Sequence, residues 1–168
     1  MSHATIYHFP LGIIKIKISD SRVSEIMFAT LDDIEQPGNI GQPSSMDKKI
    51  LQKCVTQLDE YFSGNRKVFD FPMEQSGTNF QQKVWHHLMQ IPYGTTISYR
   101  QLAQRLGDVK SIRAAASANG RNKLSIVVPC HRVIGSDGSL TGYAGGLSKK
   151  RWLLEHENKF SNGVSLLF

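Results

Sequence analysis

A thiol and an imidazole stand side by side at Cys130 and His131, within the run Pro129-Cys130-His131-Arg132-Val133. The thiolate is the form of cysteine that attacks carbon, and an adjacent histidine can produce it. The pair closes an apolar run, Leu124 to Val128, that reads as a buried strand. A free thiol with a pKa of about 8.5 is only about 3% ionised at pH 7, and lowering that pKa to about 6.5 corresponds to roughly 2.7 kcal/mol of thiolate stabilisation. The neighbouring His131 is expected to supply part of it.

Helices must position this pair. Thr78 with Gln81 and Ser98 with Gln101 are capping-box patterns that start two helices. Phe80, Val84, Leu88 and Ile91 form the expected buried stripe of the first, which Pro92-Tyr93-Gly94 ends. The second is short, with Leu102 and Leu106 inward and Gly107 at its end. A third runs from about Lys110 to Asn119, so the last two make a helix-turn-helix pattern. In the third, Arg113 is followed by Ala114, Ala115, Ala116, Ser117 and Ala118. Side chains so small suit either tight packing of helices or close approach to a narrow DNA groove, with Arg113 the projection that enters the base stack.

The N-terminal half reads differently. Ile14, Ile16 and Ile18 alternate with Lys15 and Lys17, a strand with one wet face, flanked by strands at Thr5 to His8 and Val23 to Phe28. Residues 36 to 45 form a loop, and a helix follows with Ile50, Leu51, Cys54, Val55, Leu58, Tyr61 and Phe62 inward. Lys67 to Phe71 resembles another strand. The expected fold is α/β (α+β): a sheet-plus-helix domain over 1–75, then a mainly helical, winged helix-turn-helix-like domain over 76–168, with the boundary at Glu74 to Gly77.

Charge supports this division. Residues 1–75 hold 8 Lys/Arg and 10 Asp/Glu, a net of −2, whereas residues 76–168 hold 12 and 4, a net of +8. A polyanionic partner therefore belongs to the C-terminal half. No run reaches the roughly eighteen apolar residues of a membrane span, and Met-Ser-His-Ala-Thr lacks the pattern of a secretory signal. Two cysteines, Cys54 and Cys130, are too few for a disulfide framework, so a soluble protein of the reducing cytoplasm is expected. Cys54 reads as core, His86 and His87 as helix surface, Trp85 and Trp152 as core, and His156 as a brace for the last helix.

Ile97-Ser98-Tyr99, Arg113, Asn119-Gly120-Arg121-Asn122, Pro129 to Gly135, Gly142-Tyr143-Ala144-Gly145-Gly146-Leu147 and Trp152 to Glu157 follow one another in an order that resembles the O6-alkylguanine-DNA alkyltransferases. The resemblance spans about Thr78 to Glu157 and is closest to bacterial methylated-DNA–protein-cysteine methyltransferases. It implies irreversible, one-event transfer of an alkyl group from guanine O6, and from O4-alkylthymine as a second substrate, to Cys130. In the family the His, here His131 backed by Glu157, acts on the sulfur through a water. It further implies Tyr99 as donor to guanine N3, the carbonyls of Cys130 and Val133 as acceptors from the exocyclic amine, and the Ala144 N–H near O6, beside Tyr143. The base must leave the duplex to be reached. Arg113 matches the finger that replaces it in the stack. The helix around it, with Ala114, Ser117, Ala118, Asn119, Gly120, Arg121 and Lys123, corresponds to the one that lies in the minor groove of double-stranded DNA, a groove only about 6 Å wide. Asn122 matches a hinge between that helix and the active-site segment.

Lys123 stands where the family usually has Pro, Ala144 replaces a Ser of some members, and the cysteines of the mammalian-type zinc site are missing. No metal and no cofactor is expected, and the chain should act as a monomer. The apolar tail Val164 to Phe168 loosely resembles peptides that dock on sliding clamps. A winged-helix regulator accounts for the helices but not for Cys130, His131 and Glu157 together. A damage binder of the alkyltransferase-like type lacks the cysteine. A cysteine hydrolase remains the enzymatic alternative, distinguished by repeated turnover.

Overall fold

The computed structural model describes residues 2–35 and 42–162, which divide into two compact units, residues 1–76 and 77–168. In the first, β1 (Ser2–Phe9), β2 (Gly12–Ser19) and β3 (Arg22–Phe28) form an antiparallel sheet in sequence order. The alternation in β2 has the expected consequence: Ile14, Ile16 and Ile18 are buried while Lys15 and Lys17 reach the other face. Asp20 and Ser21 both take positive φ, 49° and 56°, as the tight hairpin between β2 and β3 demands. A short α1 (Leu31–Glu35), which no sequence signal marked, precedes α2 (Ser45–Phe62). The Ser44 hydroxyl caps α2, and Ile50, Cys54, Leu58 and Tyr61 are buried along its inner side.

Lys67 to Phe71 is not a strand. The chain there is fixed by side chains, with Gln57 accepting from the Asp70 N–H at 3.1 Å, and only Met73 forms a single parallel bridge, to Val23. The expected loop falls partly outside the described residues, as does the tail from Val164 to Phe168.

In the second unit both capping boxes are present and start α3 (Asn79–Leu88) and α4 (Tyr99–Arg105). Val84, Trp85, Leu88 and Ile91 are buried, but Phe80 is 37% exposed, because it sits in the first turn before the stripe is covered. Leu106 is a half-exposed cap rather than an inward residue. Gly107 turns the chain at φ 93°, and a 3-10 turn at Val109–Ser111 leads into α5 (Ile112–Gly120), which packs on α3 and α4. Two short strands, β4 (Ile97–Ser98) and β5 (Val133–Ile134), pair in parallel, and α6 (Leu147–Asn162) packs on the turn before β5.

Leu124 to Val128 is buried throughout yet forms no strand. It is a series of turns with local hydrogen bonds, Val128 N–H to the Leu124 carbonyl at 2.9 Å among them, and Ile126 at φ 72°. An unbroken apolar run reports burial, not extension, and burial is what it shares with a central strand. No helix among the described residues is long and apolar enough to cross a membrane.

The Thr78 hydroxyl accepts from the Gln81 N–H at 3.1 Å while the Gln81 side chain accepts from the Thr78 N–H at 3.0 Å. Thr78→Ala breaks this reciprocal cap and is expected to lower the free energy of unfolding by about 1 kcal/mol in urea titration; no change would mean that the start of α3 is held by packing alone.

Candidate active site

Cys130 begins a 3-10 turn, Cys130–Arg132, that delivers the chain into β5. The residue is 5% exposed, and burial pushes its thiol above the ordinary value. Opposing that are a hydrogen bond from Asn122, the charge of Lys150 and the backbone N–H groups of Cys130 and His131. Burial wins, so the resting sulfur is a neutral thiol rather than the depressed one the sequence suggested. The donors around it form a small nest that favours negative charge once a base removes the proton.

His131 is fully buried, and its Nε2 lies 2.7 Å from Glu157 Oε1. Arg132 shares the same carboxylate: its Nε donates to Oε2 and its Nη2 to Oε1, both at 2.9 Å, while its Nη1 donates to the Ile91 carbonyl at 2.7 Å. The Gly94 N–H adds a fourth donor at 3.3 Å. Burial alone would raise the Glu157 carboxyl, but His131 and Arg132 hold it well below the carboxylate range. Burial also lowers His131, against the pull of Glu157, and Arg132 and Lys150 reinforce that. The permanent ion pair is therefore Arg132–Glu157, and His131 is neutral. With Nε2–H donating to Glu157, Nδ1 carries the lone pair, and that buried atom has no hydrogen-bond partner. A buried base with an unused lone pair can accept a proton from a nearby thiol directly or through a water.

Two asparagines tie α5 to this turn. The Asn122 side chain donates to the Val128 carbonyl at 2.8 Å and accepts from the Leu124 N–H at 3.0 Å, bonds that join the end of α5 to the segment before Cys130. Asn119, expected on the DNA side, is 2% exposed and donates to the Cys130 carbonyl at 3.3 Å. That carbonyl also accepts from the Val133 N–H, so both of its lone pairs are engaged within the protein. Ala118 likewise faces inward, its carbonyl accepting from Trp85 Nε1 at 2.9 Å. Arg113, Ala114, Ser117, Gly120, Arg121 and Lys123 are exposed. The small residues of α5 thus serve both readings: Ala115 and Ala118 pack against the core, and Ala114 and Ser117 leave the outer side free of bulk.

Tyr99 donates to the Thr141 carbonyl at 3.0 Å, and burial raises its hydroxyl above the ordinary value, with the Thr141 bond opposing. Tyr143 is raised further, by burial and then by Cys130. Gly142, at φ 56°, brings the loop to within 3.6 Å of the Tyr99 hydroxyl, measured from where a Cβ would lie. Ala144 is exposed on that loop. His156 stacks on Trp152 with ring centres 4.7 Å apart, bracing α6 as expected, although Trp152 itself is only half-buried.

Two participants were missed. Arg132 lay inside the motif that carries the resemblance but was given no role. Lys150, fully buried, donates to the Val133 carbonyl at 2.6 Å and the Thr141 carbonyl at 2.7 Å. Only its place on the inner side of α6, three residues before Leu153 and seven before Glu157, could have singled it out.

Because the folded pKa of Glu157 lies below the unfolded value of about 4.3, the stability it provides is complete above that pH and is lost as pH falls below it. Glu157→Gln leaves Arg132 buried without its anion, and is expected to cost about 3 kcal/mol or more at pH 7. Between pH 5 and pH 3 the variant should lose less stability than the parent in urea unfolding; parallel loss would show that other carboxylates control the acid limb.

This geometry has close counterparts. The 6-O-methylguanine DNA methyltransferase DNA binding domain family matches residues 79–159, and the 6-O-methylguanine DNA methyltransferase ribonuclease-like domain family matches residues 3–75. The chain is 40% identical over 158 residues, 94% of its length and 96% of the relative's, to the constitutive methylated-DNA–protein-cysteine methyltransferase of Bacillus subtilis. It superposes on the crystal structure of Mycobacterium tuberculosis O6-methylguanine methyltransferase with a TM-score of 0.82 and 36% identity, covering 98% of this chain and 97% of that one. A structure of the M. tuberculosis protein in complex with DNA gives a TM-score of 0.80 at 37% identity, with 94% of each chain covered. With both halves matched and the buried thiol, imidazole and carboxylate in place, the chain belongs to the O6-alkylguanine-DNA alkyltransferases, of bacterial type.

Proposed function

We propose that this protein reverses O6-alkylguanine damage in double-stranded DNA by moving the alkyl group onto Cys130, once per molecule. The observation that carries the reading is the buried Cys130 thiol, ringed by N–H donors, beside a neutral His131 whose Nδ1 is free and whose Nε2 is anchored on Glu157. His131 takes the thiol proton through a water, and Glu157 stabilises the imidazolium that forms. The sulfur attacks the alkyl carbon in line, the carbon–O6 bond breaks, and its electron pair stays on the purine. Tyr99 gives a proton to guanine N3 and regains one from His131 through water. The net change converts S–H and O–alkyl into S–alkyl and guanine N–H. The thioether has no leaving group that any residue here can expel, so the reaction ends there.

A sulfur this deeply buried meets only a base that has left the duplex. In this reading α5 enters the minor groove, where Ala114, Ser117 and Gly120 allow close approach and Arg113 fills the vacated place in the stack. Arg121 and Lys123 contact phosphates. The Asn119 and Asn122 bonds support the coupling of that helix to the sulfur-bearing turn. Val133 is the stronger acceptor for the guanine amine, since the Cys130 carbonyl already has two donors. The protein acts in the cytoplasm as a monomer, without cofactor or metal.

Incubation with a duplex containing O6-methylguanine should add the mass of one methyl group, mapped to Cys130, and then stop at one equivalent. No mass change, or continued product release, would falsify the proposal, the latter in favour of a hydrolase. Arg113→Ala should slow repair of the duplex by about 10-fold or more while leaving reaction with the free alkylated base nearly unchanged; equal losses would remove the finger role.

A further inference from the structure

The two asparagines that touch the sulfur-bearing segment are held differently. Asn122 is bonded at both ends of its carboxamide, donating to the Val128 carbonyl at 2.8 Å and accepting from the Leu124 N–H at 3.0 Å. Asn119 is bonded at one end: its Nδ2 donates to the Cys130 carbonyl at 3.3 Å, long for an N–H···O bond, and its buried Oδ1 has no partner among the described residues. An unanswered amide oxygen at 2% exposure is costly, and a leucine would fill a similar space without that cost. What the carboxamide supplies is a donor at the Cys130 carbonyl. The other donor there, the Val133 N–H, closes the 3-10 turn and cannot withdraw without undoing it. Only the Asn119 bond can be released by rotating a side chain. Burial raises the Tyr99 hydroxyl, and the Asn119 side chain is among the hydrogen-bonding groups that oppose this, so Asn119 stands beside both the carbonyl and the phenol.

We infer that Asn119 is a specificity-determining residue: its carboxamide satisfies the Cys130 carbonyl while the site is empty or holds a base without an exocyclic amine, and yields that carbonyl to the amine of an everted guanine. The inference rests on the function proposed above. Guanine carries N3 and the 2-amine side by side on one edge, so a base that takes a proton from Tyr99 at N3 brings its amine toward the neighbouring carbonyls. The amine has two N–H groups, one for the Val133 carbonyl and one for the Cys130 carbonyl. Once displaced, the Asn119 amide is free to turn its donors toward the Tyr99 oxygen as that oxygen loses its proton. An alkylated thymine presents a carbonyl oxygen in place of the amine. With thymine in the site Asn119 keeps its bond, and no buried acceptor is stranded. A Cys130 carbonyl without this reserve donor would penalise every base that lacks the amine. Asn119 thereby widens the set of bases from which the sulfur can take an alkyl group.

The test uses three duplexes that differ in one base: O6-methylguanine, O6-methylhypoxanthine, which is the same purine without the 2-amine, and O4-methylthymine. In the parent, methyl transfer from O6-methylguanine should exceed transfer from O6-methylhypoxanthine by less than about 10-fold, the contribution of one net hydrogen bond. In Asn119→Leu that ratio should rise by about 10-fold or more, because a base without the amine then leaves the Cys130 carbonyl unanswered. The ratio of O6-methylguanine to O4-methylthymine should rise with it. A ratio taken within one variant cancels any general loss of fold or of DNA binding. Unchanged ratios in Asn119→Leu overturn the inference and leave Asn119 as a tie between α5 and the turn. If the variant does not fold, the parent decides: a ratio of O6-methylguanine to O6-methylhypoxanthine above about 10-fold overturns the inference. Should the parent transfer no methyl group to Cys130 from any of the three duplexes, the proposed function fails rather than this inference.

Discussion

The C-terminal unit is organised around a carboxylate kept away from water. Glu157 is fully buried, and four N–H groups converge on it, from His131, from two positions of Arg132 and from the Gly94 backbone. Removing a carboxylate from water is tolerable only when its charge and lone pairs are answered in full, and this one is. The same set fixes the relative positions of α6, the turn before β5 and the loop after α3. Because Arg132 provides the balancing charge permanently, His131 is left neutral and able to take up a proton. Without Arg132 the pull of Glu157 would raise His131 toward its imidazolium, which has no lone pair left to take the proton of the thiol.

The sulfur is protected by the same economy. Its surroundings keep the thiol protonated at rest, which suits a nucleophile that must not react with the wrong electrophile. Asn122 and Asn119 then join the segment that carries the sulfur to the end of α5, the helix proposed to enter DNA.

Much of this was legible in the chain. The alternation of Ile14, Ile16 and Ile18 and both capping boxes stated their structures directly, because each is a local pattern with a local cause. Leu124 to Val128 and Lys67 to Phe71 misled because what fixes them is nonlocal or lies in side-chain bonds, such as Gln57 to Asp70, that no period encodes. In the site, Cys130, His131 and Glu157 were recognisable from type and order. Arg132 and Lys150 were not, since a cation in sequence reads as surface until its burial is known. Asn119 and Ala118 were assigned outward because a helix written as a string does not show which of its sides the core has taken.

Ile126 adopts a left-handed backbone, φ 72°, four residues before the nucleophile. For a β-branched residue that conformation costs about 1–3 kcal/mol, a sizeable share of the roughly 5–15 kcal/mol that separates folded from unfolded chains. A catalyst selected for long service would be expected to shed such a load through a glycine. A molecule spent on its first success has less need of longevity and can carry such a load beside its sulfur.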